Sequence, residues 1–336
     1  MATSTNKGFE CFVMKTRLFL IGLSCFISVG NSYADETPTA REQIDSTLKL
    51  LQSSAEVYTD KRKCFTCHHQ ALPAMTVRYA RDKKLTVDTD RAKKQSEFTK
   101  AYFRGRMERL KKGEGVPGGP YTAGYALVSL HADGIESDDV IAALLRYLET
   151  TQKDDGSWRI RTHRPPLEDS DFTATALSAR ALKLYGKQNS DRIERAQKWL
   201  LSAKVKTTED HAFRLLGLHW CGLTTEKLQD QRKRLLAIQR EDGGWSQLPD
   251  MSSDAYATGQ ALVALHHGGL EHSHTAFQSG LRFLKETRQA DGSWHVKTRS
   301  KAIQKYFESG FPHSKDQFIS ISGTSWATMA LILALD

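Results

Sequence analysis

Three segments of this chain repeat one pattern: Gln152-Lys-Asp-Asp-Gly156-Ser-Trp158, Gln239-Arg-Glu-Asp-Gly243-Gly-Trp245 and Arg288-Gln-Ala-Asp-Gly292-Ser-Trp294. Each closes a stretch of helical periodicity that carries a large apolar pair, Tyr147-Leu148, Leu235-Leu236 or Phe283-Leu284. The tryptophans lie 87 and 49 residues apart. That spacing implies a unit of about 45 to 50 residues, with a degenerate copy at Trp199-Leu200-Leu201-Ser202-Ala203 between the first two. A unit of this length made of paired helices cannot bury its apolar face alone, so it stacks into an array.

The partner helices are of another kind. Thr173–Leu182, Ala257–Leu265 and Trp326–Leu335 are rich in alanine and apolar on most sides. Helices apolar nearly all round are buried, and those with one charged face lie outside. The chain therefore alternates outer and inner helices, paired as 41–58 with 67–85, 90–112 with 120–132, 137–152 with 171–185, 190–203 with 208–221, 225–239 with 254–268, and 273–288 with 323–335. Six hairpins predict an all-α (α/α)6 toroid over residues 35–336, with an open solenoid as the alternative.

The repeats resemble the QW motifs of squalene-hopene cyclases and related prenyltransferase-type toroids, and the likeness runs over residues 41–336. The resemblance implies that Trp158, Trp245 and Trp294 are structural clamps at the ends of outer helices. It also implies a central apolar cavity for an isoprenoid-like ligand. Asp169-Ser170-Asp171-Phe172-Thr173-Ala174 stands where those cyclases carry Asp-x-Asp-Asp followed by Thr-Ala, so Asp171 inherits the proton-donor role with Asp169 beside it. Phe172 replaces the last carboxylate. Asp is also favoured at helix N-caps and in the first turn, and Asp254 recurs at the start of another inner helix, so capping is the ordinary reading of these acids and comes ahead of acid catalysis.

A separate motif, Cys64-Phe65-Thr66-Cys67-His68, has the spacing of a c-type haem attachment site. Cys64 and Cys67 would form the thioethers and His68 would be the axial ligand. The same donors, with His69, suit zinc, which takes thiolate and imidazole. The resemblance adds weight to zinc, because protein prenyltransferases of this shape hold a catalytic zinc. A disulfide between Cys64 and Cys67 is the third reading.

Lys15 and Arg17, the apolar run 18–29 and Ser32-Tyr33-Ala34 read as a removable signal peptide over residues 1–34, giving an exported, periplasmic or secreted chain. Beyond it only Cys64, Cys67 and Cys221 remain, too few for a disulfide-built scaffold. The formal charge of +9 is spread over helix-like faces, as in residues 229–234, which argues against a nucleic-acid partner and leaves an acidic redox partner or an anionic membrane surface to exploit the charge. No later stretch is apolar enough to span a membrane.

Hairpins that run up outside and down inside put every outer-to-inner connection at one end of the ring. Cys64, Cys67, His68, Asp169, Asp171, Asp254 and the 27-residue segment 295–321 thus share one mouth. Within that segment His295 and His313 are the candidates for a second axial ligand. Three readings follow: a haem-bearing toroid for electron transfer or oxidation near a ligand cavity, a terpenoid cyclase or isomerase using Asp171, and a non-catalytic binding scaffold.

Overall fold

The computed structural model describes residues 39–186 and 188–335. The proposed signal peptide, 1–34, lies outside them. Among the described residues the chain is all-helical, with isolated bridges only at Arg164 with Glu168 and Ser246 with Ser253.

The outer helices are α1 (Ala40–Lys61), α3 (Thr89–Arg104) with the short α4 (Met107–Lys111), α6 (Asp139–Thr151), α8 (Ser190–Ser202), α10 (Gln229–Leu236) and α12 (Thr275–Thr287). The inner helices are α2 (Leu72–Asp82), entered through a π turn at Cys67–Ala71, α5 (Gly119–Ala132), α7 (Asp171–Tyr185), α9 (Thr208–Cys221), α11 (Ala255–His267) and α13 (Gln317–Leu333). Each inner helix packs on the next, and α13 packs back on α2 and α1. The ring is closed and the solenoid alternative falls. Close approach needs small residues at the crossings: a Cβ at Gly259 would lie 2.5 Å from the backbone nitrogen of Ala327, and one at Gly124 2.8 Å from the Leu177 side chain.

The repeat works as a three-way tie. The indole N–H of Trp158, Trp245 and Trp294 donates to the carbonyls of Leu148, Leu235 and Leu284 at 2.8, 2.9 and 2.8 Å, ending each outer helix. Their backbone N–H groups donate to Thr175, Thr258 and Thr324 on the inner helix of the same hairpin. Gln152 Nε2 donates to Gly156 O and to Arg192 O in α8, and Gln239 Nε2 to Gly243 O and to Ala276 O in α12. Gly156 and Gly243 turn the chain with φ of 92° and 82°, and a Cβ on Gly156 would lie 2.3 Å from Arg195 O, so glycine is required there. In the third copy Arg288 replaces glutamine and reaches across the seam to Gln43 O and Ser46 Oγ, both at 2.9 Å, and Thr47 Oγ1 donates to Gly292 O at 2.8 Å. The last repeat thereby joins the first helix.

The structure corrects several boundaries. Trp199 is not a degenerate repeat tryptophan; it sits inside α8 and packs on Phe172 at 4.8 Å. Helix α10 is shorter than the expected 225–239. Helix α13 starts at Gln317 rather than 323. Residues 319–322 read Ile-Ser-Ile-Ser, an alternation that imitates a strand, but in the helix Ser322 Oγ bonds back to Phe318 O at 2.9 Å.

Tyr121, Tyr125, Phe213, Tyr256 and Trp326 are all fully buried, and the Phe213 and Trp326 rings from α9 and α13 meet at 5.9 Å. Large aromatic side chains are thus packed among the inner helices.

Candidate functional site

The outer-to-inner connections do converge at one mouth. Ser300 Oγ donates to Pro165 O at 2.7 Å, Arg299 Nε to Gln247 Oε1 at 2.8 Å, and Thr208 Oγ1 to Ser246 O at 2.6 Å. Two sites lie there.

The first is the Cys-x-x-Cys-His segment at the entry to α2. Thr66 caps the π turn through its hydroxyl, which accepts from His69 N. Cys64 and Cys67 are free thiols, so no disulfide joins them. Cys64 Sγ lies 3.1 Å from the Tyr58 hydroxyl, and Tyr121 OH points at Cys67 Sγ from 3.9 Å. Burial pushes the Cys67 thiol up to about 12. Burial, then the nearby Arg164, lowers His68 to about 3, which keeps the imidazole neutral. His68 Nδ1 meets His69 Nδ1 at 2.5 Å, so with the proton on the His68 nitrogen its Nε2 is bare. His69 is 1% exposed and its own Nε2 has no partner. Tyr58, Phe318 and, through Tyr58, Phe307 wall the imidazole with rings 5.7 to 5.9 Å apart, and the Arg62 guanidinium covers Phe307 at 3.9 Å. Two free thiols and a neutral imidazole oriented by a neighbouring ring are the donors a covalent haem requires. Among the described residues no three His, Cys, Asp or Glu side chains converge to hold a metal ion.

Neither distal candidate turns to this motif. His295 and His313 stack on each other at 4.9 Å; His295 Nε2 pairs with Asp316 Oδ2 at 2.8 Å, and His313 Nε2 lies 2.7 Å from Ser293 Oγ.

The two acids part company. Ser170, not Asp171, caps α7. Asp171 accepts from Arg159 at 2.8 Å and from Ile160 N at 2.9 Å, so both its oxygens hold down the preceding segment. Asp169 pairs with His163 at 2.5 Å and lines a cavity. Asp254 is the N-cap of α11, accepting from Ala257 N at 2.9 Å, as capping predicts.

That cavity, about 220 Å3, is the second site. Its floor is Glu209, 6% exposed, which accepts from Thr173 Oγ1 at 2.5 Å and Tyr256 OH at 3.0 Å. Burial raises Glu209 to about 8, against the lowering effect of those two hydroxyls. Beside it Asp210 closes a capping box with Thr207 and accepts from Ser170 Oγ at 2.6 Å. Gln260, one turn beyond Tyr256 on α11, is fully buried with neither amide atom hydrogen-bonded. Thr207-x-x-Asp210 is a legible capping box, but nothing local marks Glu209 or Gln260.

No family model matches the sequence. A squalene–hopene cyclase from Zymomonas mobilis is 31% identical over 110 residues, 33% of this chain and 16% of that protein. A copalyl diphosphate synthase from Streptomyces anulatus is 34% identical over 101 residues, 27% of this chain and 17% of that protein. The matched stretches are thus about a sixth of either relative. Among solved structures, the type II terpene cyclase MstE from Scytonema, in complex with geranylgeranyl dihydroxybenzoate, superposes with a TM-score of 0.50 at 14% identity, over 87% of this chain and 98% of that one. The fold is that of the terpene-cyclase-like α/α toroids. A possible GH105 family member from Salmonella enterica gives 0.51 at 13% identity, over 89% and 95%. A protein from Actinoplanes gives 0.52 at 13%, over 86% and 100%. At these identities the likeness is one of fold, which several chemistries share. No described helix is long and apolar enough to cross a membrane.

Proposed function

We propose that this terpene-cyclase-like toroid is an exported haem protein, with haem c bound through Cys64 and Cys67 and ligated by His68. The observation that carries the reading is that His68, whose Nδ1 meets His69 Nδ1, follows directly on two free thiols, Cys64 and Cys67; with the shared proton on His68 its Nε2 is free to ligate. The haem would supply one-electron redox chemistry at the mouth of the ring. The chain's own part is to keep the imidazole neutral, to hold it against His69, and to wall it with Tyr58, Phe318 and, through Tyr58, Phe307. Lys61 and Lys63, exposed next to Cys64, favour an acidic redox partner. The ion-paired Asp171 weighs against the terpenoid-cyclase reading.

The test is export of the chain in a host with haem-attachment machinery, followed by denaturation and a pyridine haemochrome spectrum. A c-type band that survives denaturation in the wild type and is lost in Cys64→Ser with Cys67→Ser is expected. Purified protein with no covalent haem would sink the proposal.

A further inference from the structure

The cavity over Glu209 is not explained by the haem reading, and its chemistry is specific. Gln260 is 0% exposed, and its Nε2 and Oε1 both lack a partner. An unmade hydrogen bond at a buried amide is costly, so such a residue at a cavity wall calls for a partner in that cavity, a ligand or ordered water. Its polar neighbours are saturated by contrast: both Asp210 oxygens accept, from Ser170 and from the Lys206 and Thr207 amides, and both Asp254 oxygens accept, from Ala257 N and Gln247.

The open valences state what fits. The amide offers two donors and one acceptor at the same place, and a hydroxyl group, donor and acceptor at once, matches both. Glu209 accepts on each oxygen, and in its neutral form, which burial favours, it has a proton left to donate. The lining carries Lys206 and Arg299 together with Asp169, Asp210 and Glu209, and with Glu209 in the neutral form that burial favours the charges balance, so the lining selects neither an anion nor a cation. Pro166 and Ala257 are the only wholly apolar lining residues, which leaves little for a hydrocarbon chain. At about 220 Å3 the space is below the ~300–1,000 Å3 of pockets for drug-sized ligands.

We propose that this cavity binds a small, neutral, polyhydroxylated ligand, one sugar ring or a cyclic polyol in size, held by the Gln260 amide and the Glu209 carboxyl.

The experiment is saturation-transfer NMR and calorimetry on the whole protein with glucose, galactose, mannose, xylose and myo-inositol. Glucuronate and glucosamine serve as charged controls, and maltose separates a glycan end from a free ring. The expected result is binding of at least one neutral probe, free or as the end of maltose, weakened at least tenfold in Gln260→Leu, while that variant melts at or above the wild-type temperature because an unpartnered amide is gone. Should Gln260→Leu fold poorly, Glu209→Gln carries the same test, with the same tenfold loss expected. No binding of any neutral probe would overturn the proposal, as would unchanged binding in both variants or tighter binding of the charged controls.

Discussion

Tyr256 on α11 donates its phenolic proton to Glu209 Oε2 on α9 at 3.0 Å, and both side chains are buried. The bond joins adjacent inner helices at the mouth and places a carboxyl in a setting that disfavours its charge. Burial raises Glu209 to about 8 and Asp254 to about 6. A carboxyl whose folded value lies above its unfolded one near 4 holds its proton longer in the native state. Its contribution to stability is full below pH 4 and is lost as pH rises through the folded value.

Glu209→Gln is therefore expected to flatten the decline in stability between pH 5 and 8, each tenfold change in proton affinity being worth about 1.4 kcal/mol. Urea unfolding at a series of pH values measures this. An unchanged slope in the variant would show that Glu209 is not the titrating group.

At the opposite ends of the inner helices the sign reverses. His266 and His267 are lowered to about 4 and about 3, chiefly by burial and then by neighbouring histidines, with His267 Nε2 2.6 Å from Tyr79 OH. Histidines held neutral in the fold but protonated when unfolded take stability away as pH falls from about 6.5 toward 3 to 4. His267→Gln should shift the midpoint of acid unfolding, followed by circular dichroism, to lower pH.

Arg288→Ala breaks the bonds from α12 to Gln43, Ser46 and Thr47 at the ring's seam. A loss of about 1–3 kcal/mol is expected by denaturant unfolding. Gln239→Ala, which cuts the tie from α10 to α12, should cost a similar amount.

Trp245→Phe keeps an aromatic ring but strands the buried Leu235 carbonyl, and should cost about 1–3 kcal/mol or more. Asp171→Asn, at a partly exposed ion pair, should cost about 1 kcal/mol or less and leave any haem spectrum unchanged. Thermal melts and spectra of the two variants together separate a structural clamp from a surface tie.

Legibility differed by residue. Trp158, Trp245 and Trp294 were readable as clamps because a recurring motif reports a recurring contact. Their partners Thr175, Thr258 and Thr324 were not, since a threonine in an alanine-rich helix carries no mark of what it caps. Asp171 was misleading: its place at the start of an inner helix suggested an acid or a cap, yet Ser170 takes the cap and Arg159 takes the carboxylate.

The sequence by itself determined the helices, their alternation of outer and inner, the six hairpins and the end of the ring where the Cys-x-x-Cys-His segment lies. Periodicity, spacing and turn chemistry are local, and they repeat. Only the tertiary structure decided that the ring closes through Arg288. It also decided that Glu209, Tyr256 and Gln260 meet over a polar cavity. Glu209 comes from one hairpin and Tyr256 and Gln260 from the next, and burial and unmet hydrogen bonds arise only when the packed helices bring them together.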